Sequence, residues 1–231
     1  MKIITVSNRK GGVGKTTTAY NLGHTYAKDG KRVLFVDLDE QGNLTTLNRQ
    51  DTISLEEWKR AKPVLVSEGI SLLRATGAFP QLTDEINREI DRNSFLKRLL
   101  APVVASYDVV VIDTPPSLGI ININAYCLSH VVLVVVNPDS FSLNGLAQMR
   151  KVLKEVKSIN HGLQYRIILN AYFTVRRLTG DALEVLQDEP GYLNIEIPHR
   201  QAIITANADR EPAILHDEIY QSFKKLSEAV L

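Results

Sequence analysis

The chain is poor in the residues that staple or anchor a small protein: it has one cysteine, one tryptophan and two methionines in 231 residues. The lone Cys127 forms no intrachain disulfide, which points to a reducing compartment, and in its apolar stretch it reads as a small buried hydrophobe. No apolar run reaches the roughly 18 residues that span a bilayer, and Met1-Lys2 leads straight into a strand-like run, so neither insertion nor a secretory leader is indicated. Charge of one sign is lacking too. Lys and Arg number 27 against 26 Asp and Glu, a net +1 that advertises no polyanion partner in bulk. Repeats, low-complexity tracts and Gly/Ser linkers are absent. What remains is 44% hydrophobic and 23% charged, the composition of an ordinary globular chain, long enough to bury the core of a single domain over 1–231 without metal or disulfide.

Short β-branched runs at Ile3 to Val6, Val33 to Val36, Val109 to Ile112, Val131 to Val136 and Ile167 to Leu169 predict strands covered on both faces. Apolar residues at helical spacing predict helices over Thr17 to Lys28, Ser94 to Ala105, Leu143 to Val156 and Glu218 to Leu231. Residues 44 to 93 are the hardest to read, with a helix over Leu55 to Arg60, a break at Lys62-Pro63 and a short strand at Ile70 to Leu73. Strand and helix alternate, which predicts an α/β, doubly wound, mostly parallel sheet with ligands beyond the carboxyl ends of its strands. The stripe Ile219, Phe223, Leu226 and Val230 reads as a docked core helix rather than a membrane anchor.

After the first strand stands Arg9-Lys10-Gly11-Gly12-Val13-Gly14-Lys15-Thr16-Thr17, and a helix follows. Strand, glycine-rich loop and helix form the context a phosphate loop requires. Glycines aim successive backbone N–H groups inward, the helix start adds partial positive charge, and a lysine ammonium reaches the outer phosphates. Lys15 is that lysine, Thr16 offers a hydroxyl to Mg²⁺, and residues 11 to 17 form the cradle. The first glycine of the ordinary pattern is replaced by Arg9, and a second lysine, Lys10, precedes the glycines.

The second strand runs into Asp37-Leu38-Asp39-Glu40-Gln41-Gly42-Asn43, and alternation puts Asp37 and Asp39 on one side. Val110-Val111-Ile112-Asp113 is a hydrophobic strand with a carboxylate at its end, the Walker B arrangement, so Asp113 is expected to hold Mg²⁺ through water. Asp37 is expected to orient the metal shell and the loop. Phosphoryl transfer needs positioning and charge neutralisation, and these groups supply both.

Lys-Gly-Gly-Val-Gly-Lys-Thr-Thr, Asp-x-Asp-x-Gln-Gly-Asn, Pro115-Pro116-Ser117-Leu118-Gly119, Asn137-Pro138, Ser142-Leu143-Asn144-Gly145-Leu146 and Ile197-Pro198 together resemble the ParA partitioning ATPases of the deviant Walker A, ParA/MinD superfamily. The resemblance covers residues 1 to 50 and 106 to 231. It implies an ATPase with ATP and Mg²⁺ as cofactors, and an ATP-dependent homodimer in which Lys10 reaches the partner's phosphates. It gives Asp39 the attacking water and places Asn170 and Pro198 near the adenine. It also implies non-specific DNA, a ParB-like or other cargo-adaptor protein that stimulates hydrolysis, and a cytoplasmic, nucleoid-associated setting with no membrane. DNA-contact candidates are Arg176, Arg177, Arg200, Arg210, Lys224 and Lys225. Two departures fall on that surface: His199 stands where the family has Arg, and Leu215-His216-Asp217-Glu218 replaces an Arg-rich turn. No helix-turn-helix domain is expected before the phosphate loop. A MinD-like membrane-surface regulator is the alternative. An iron–sulfur member would need two cysteine ligands per subunit, which Cys127 alone cannot supply.

Overall fold

The computed structural model describes residues 1–138, 140–171, 183–198 and 201–231, the side chains of 140–144 and 171 excepted. Eight strands form one sheet: β1 (Lys2–Ser7), β2 (Val33–Asp37), β3 (Val64–Ser67), β4 (Ile70–Leu73), β5 (Val109–Asp113), β6 (Val131–Val136), β7 (Gln164–Ala171) and β8 (Tyr192–Pro198). Their order is β3-β4-β2-β5-β1-β6-β7-β8, and every pair is parallel except β3 with β4. The connecting helices are α1 (Lys15–Lys28), α2 (Asn43–Leu47), α3 (Leu55–Lys59), α4 (Phe79–Asn87), α5 (Phe95–Val104), α6 (Ile120–Leu128), α7 (Ser140–Val156), α8 (Gln201–Asp209) and α9 (Asp217–Val230).

Alternation along the central strands decides which helices cover which face. Ile4, Val6, Val33, Phe35, Val109 and Val111 pack with α1, α8 and α9, while Leu34, Val36, Val110 and Ile112 pack with α4, α5 and α6. Val132, Val134, Ile167 and Leu169 complete that second face against α7. Every residue of β2, β5 and β6 is buried, which is why these runs read as continuously apolar. Mid-helix Gly23 lets α1 approach the sheet closely, since a Cβ there would come within 2.1 Å of the Phe35 ring.

The Ile219, Phe223, Leu226 and Val230 stripe of α9 is buried in the core, as expected of a docked helix. Cys127 is also buried. Among the described residues no helix is long and apolar enough to cross a membrane.

The two strands missed from sequence are edge strands. β3 alternates half-buried with exposed residues, and β8 carries Asn194 at φ 50°, a left-handed residue beside a register shift against β7 that breaks the period of two. Helices α2, α4, α6 and α8 were also missed. They are nine residues long or shorter, too short for a helical period to declare itself.

His24 of α1 is wedged edge-on against Tyr20, ring centroids 4.5 Å apart, and beside Phe35, with Nε2 lacking a hydrogen-bond partner. Burial alone pulls its pKa down to about 4. The unfolded chain, with an ordinary imidazole near about 6.5, therefore binds more protons than the native state between those two values. Stability should rise with pH across that window and fall on acidification through it, by up to about 1.4 kcal/mol for each pH unit crossed. Urea unfolding of the wild type and of His24→Phe at pH 4.5 and 7 checks this. The variant is expected to show the smaller difference.

Candidate active site

The three central strands β2, β5 and β1 lie side by side, and their register aligns Asp37 with Asp113 and Val6 with Asp113. Loops after these strands therefore meet at one end of the sheet. The loop after β1 opens with Asn8, which is buried: its Nδ2 donates to Val135 O of β6 (2.6 Å) and its Oδ1 accepts from Lys10 N (3.0 Å). Gly12 and Gly14 take φ of 73° and 92°, values that favour glycine, and α1 starts at Lys15 with no side chain capping its first N–H groups. Those groups remain open to an anion.

Asn170, at the end of β7, donates Nδ2 to Val13 O at 2.8 Å, and a Cβ on Gly14 would come within 2.4 Å of that amide. The structure thus presses Asn170 against the back of the phosphate loop, where it fixes Val13 and requires Gly14. The sequence placed it near a base.

Lys15 is buried, with Nζ donating to Lys10 O at 3.1 Å. Desolvation lowers its pKa, opposed by Asp113 and Asp39. Asp113 is fully buried and neither carboxyl oxygen receives a hydrogen bond of good geometry, although the Thr16 hydroxyl stands near enough to favour its charge. Burial, with repulsion from Asp37, pushes it up to about 8, and Thr16 and Lys15 pull the other way. Two buried carboxyl oxygens beside a lysine and the Thr16 hydroxyl are a donor set that suits a hydrated hard cation. A divalent ion there would reverse the pressure on Asp113.

Asp37, expected to orient the metal shell and the loop, is bonded to the loop. Its Oδ1 accepts from Asp39 N (3.2 Å), and its Oδ2 accepts from Thr45 N and Thr45 Oγ1 (both 2.8 Å). Thr45 Oγ1 in turn accepts from Ala75 N beyond β4 (2.9 Å). Burial raises Asp37 to about 6 against these bonds. The chain Asp39, Asp37, Thr45, Ala75 ties the carboxylate loop to the next strand. Thr45→Val removes a donor and an acceptor from that buried chain. It should cost about 1–3 kcal/mol in urea unfolding, with Thr45→Ser close to wild type. Equal stability of the Val variant would show that the bonds hold nothing.

Asp39 is 7% exposed, its Oδ1 accepts from Gln41 N (3.0 Å), and it lines a cleft of about 540 Å³ with Gly11, Gly12, Gly14, Lys15, Thr16 and Thr17. The far wall is Asn207, Ala208 and Arg210. Asn207 donates Nδ2 to Thr17 Oγ1 at 2.9 Å. A second hollow, on the α7 side of the loop, is lined by Arg9, Lys10, Pro116, Ser117 and Gln148, with Arg9 bonded to Gln148.

The structure therefore brings together Lys15, Thr16, Asp39 and Asp113, with Lys10 in the neighbouring hollow. Pro198, at the end of β8 in register with Ala171, is not among the residues that line the cleft. Among the residues expected to meet DNA, Arg210 lines the cleft, Lys224 pairs with Asp29 (2.8 Å) and Glu228 (3.4 Å), and Lys225 is exposed. Arg176, Arg177 and Arg200 lie outside the described residues. Sequence reasoning missed Asn8, Thr45 and Asn207. Only Thr45, two positions past the Asp-x-Asp-x-Gln-Gly-Asn run, carried a signal.

The AAA-domain family AAA_31 matches residues 1–165. The sporulation initiation inhibitor protein Soj of Bacillus subtilis is 34% identical, covering 94% of this chain and 91% of its own length. The chromosome partitioning protein ParA of Myxococcus xanthus is 33% identical over 94% of this chain and 82% of its own. Among solved structures, a plasmid partition protein from Borrelia burgdorferi superposes with a TM-score of 0.80 at 23% identity, covering 98% of this chain and 96% of that one. The cobyrinic acid a,c-diamide synthase of Mycobacterium smegmatis, with bound ATP analogue and magnesium, gives 0.84 at 27%, covering 99% and 93%. Partition proteins and a biosynthetic enzyme share this fold, so function rests on the site and on the sequence relatives.

Proposed function

The chain belongs to the ParA/Soj family of partitioning ATPases, and from that premise we propose that it is a Mg²⁺-dependent ATPase whose two copies assemble across the phosphate loop. The ATP-bound pair binds duplex DNA without sequence preference and positions a cargo with a protein that stimulates hydrolysis. The observation that carries this reading is one cleft holding an open glycine cradle, Lys15, Thr16 and Asp39 above the buried Asp113, with a second lysine beside it.

Each residue has a task in that reading. Open N–H groups at the start of α1 and Lys15 hold the phosphates and neutralise charge as it shifts to the leaving oxygen. Thr16 and Asp113 would hold Mg²⁺, which would supply Lewis-acid charge neutralisation to the phosphates. Asp39 orients the attacking water, kept in place by Asp37 and Thr45. Lys10 adds charge to the phosphates of a second copy, which couples assembly to the nucleotide. Asn170 braces the phosphate loop by fixing Val13. The family's activity fits one domain in the cytoplasm. A membrane-surface role is disfavoured because the apolar stripe of α9 is already spent in the core.

Binding to non-specific duplex DNA with ATP, with ADP and without nucleotide, over a salt series, tests the reading. ATP-dependent, salt-sensitive binding is expected. Equal or absent binding in all three states would contradict it.

A further inference from the structure

Of the expected DNA contacts within the described residues, Arg210 lines the nucleotide cleft and Lys224 pairs with Asp29, while another set of cations gathers elsewhere. Arg150, Lys151, Lys154 and Lys157 line one groove of about 470 Å³ along the carboxyl half of α7, floored by Leu153, Leu163 and Tyr165. We propose that this groove is where the protein grips the phosphate backbone of duplex DNA, an inference that rests on the DNA binding proposed above.

Helical spacing is the first support. Lys151 and Lys154 stand one turn apart on α7, about 4.5 Å along its axis, on one face with Arg150, and Lys157 follows three residues on, just past the end of the helix. All four are exposed. Charge is the second support. The chain as a whole has a net charge of only +1, yet no acid lines this groove. Arg150 pairs with Glu189 at 3.0 Å, and Glu155, four residues past Lys151, is its neighbour on the helix surface. Among the described residues, Lys151, Lys154 and Lys157 have no carboxylate within salt-bridge distance. Lysine suits sequence-independent contact, because a flexible stem carries a compact charge to any phosphate while its methylenes lie on the apolar floor.

Placement is the third support. α7 spans 17 residues, about 25 Å of helix. Its first half reaches the hollow beside Lys10, through Gly145 and Gln148, and its second half carries the cations. One rigid helix thus joins the face where a second copy would dock to the DNA groove. Two copies would present two grooves to one duplex, so a contact too weak in the monomer gains from the pairing.

The test is the double variant Lys151→Glu with Lys154→Glu, measured by fluorescence anisotropy on a random-sequence duplex with ATP from 50 to 300 mM salt. Neither residue touches the nucleotide cleft, so ATP-driven self-association and basal turnover serve as controls and should be unchanged. Affinity at about 0.1 M salt should fall at least tenfold, and the slope of log K against log salt should flatten by about 1.8, two phosphate contacts at about 0.9 each. A variant that binds with wild-type affinity and slope would overturn the groove while leaving the function above intact. A wild type that binds no duplex in any nucleotide state would overturn that reading and this one together. Wild-type capture of poly-glutamate in preference to duplex would assign the groove to an acidic protein and overturn the proposal.

Discussion

Asp39→Ala is expected to abolish ATP hydrolysis, by about 100-fold or more, while leaving ATP binding and ATP-driven self-association in place. The carboxylate lines the cleft across from Lys15 and Thr16, but the phosphate cradle is built without it, from residues 11 to 17 braced by Asn8 and Asn170. Its one fixed side-chain bond, to Gln41 N, serves the loop alone. Removing it takes away the group that orients water and one of two carboxylates whose charge favours the Lys15 ammonium. Positioning of this kind accounts for a large share of the barrier lowering in phosphoryl transfer. Phosphate release and molar mass in ATP, measured on one preparation, check the result. Loss of nucleotide binding, or turnover within tenfold of wild type, would mean that Asp39 does something else.

Lys10→Ala should do the reverse. Two bonds that tie Lys10 into the loop are made by its backbone, the N–H donating to Asn8 Oδ1 and the C=O accepting from Lys15 Nζ. Alanine keeps both, so the cradle and its affinity for nucleotide in the monomer should survive. What goes is a side chain in the hollow of Arg9, Pro116, Ser117 and Gln148. If that charge completes the site of a second copy, self-association in ATP should weaken by about 100-fold or more, and stimulated turnover should fall with it. Calorimetric ATP titration of the monomer, paired with sedimentation in ATP, separates the two effects. Intact association would remove Lys10 from the interface, and lost ATP affinity in the monomer would make it a lysine of its own site.

The central strands were readable from sequence because both faces of β2, β5 and β6 are buried, so burial wrote an unbroken apolar run. The phosphate loop was readable because glycine is forced where φ is positive, at Gly12 and Gly14, and because Lys15 and Thr16 have chemistry no core position wants. Edge strands and short helices were not readable, since half-exposed residues follow no strict pattern and Asn194 breaks the period of β8. The supporting residues stayed hidden for a different reason. Asn8, Thr45 and Asn207 work through contacts to residues 127, 30 and 190 positions away, and single polar residues do not announce such partners. Distance in sequence also explains the basic surface. Arg210 and Lys224 read as DNA-contact candidates until the fold put one in the cleft and the other against Asp29, while the lysines that line the α7 groove were not singled out.

The central claim is that ATP assembles two copies of this chain across the phosphate loop, and the molar mass of the wild type by light scattering in Mg-ATP, in Mg-ADP and without nucleotide tests it most directly. Doubling in ATP alone is the predicted result. A mass that stays monomeric in ATP, or is dimeric in all three conditions, would contradict the account.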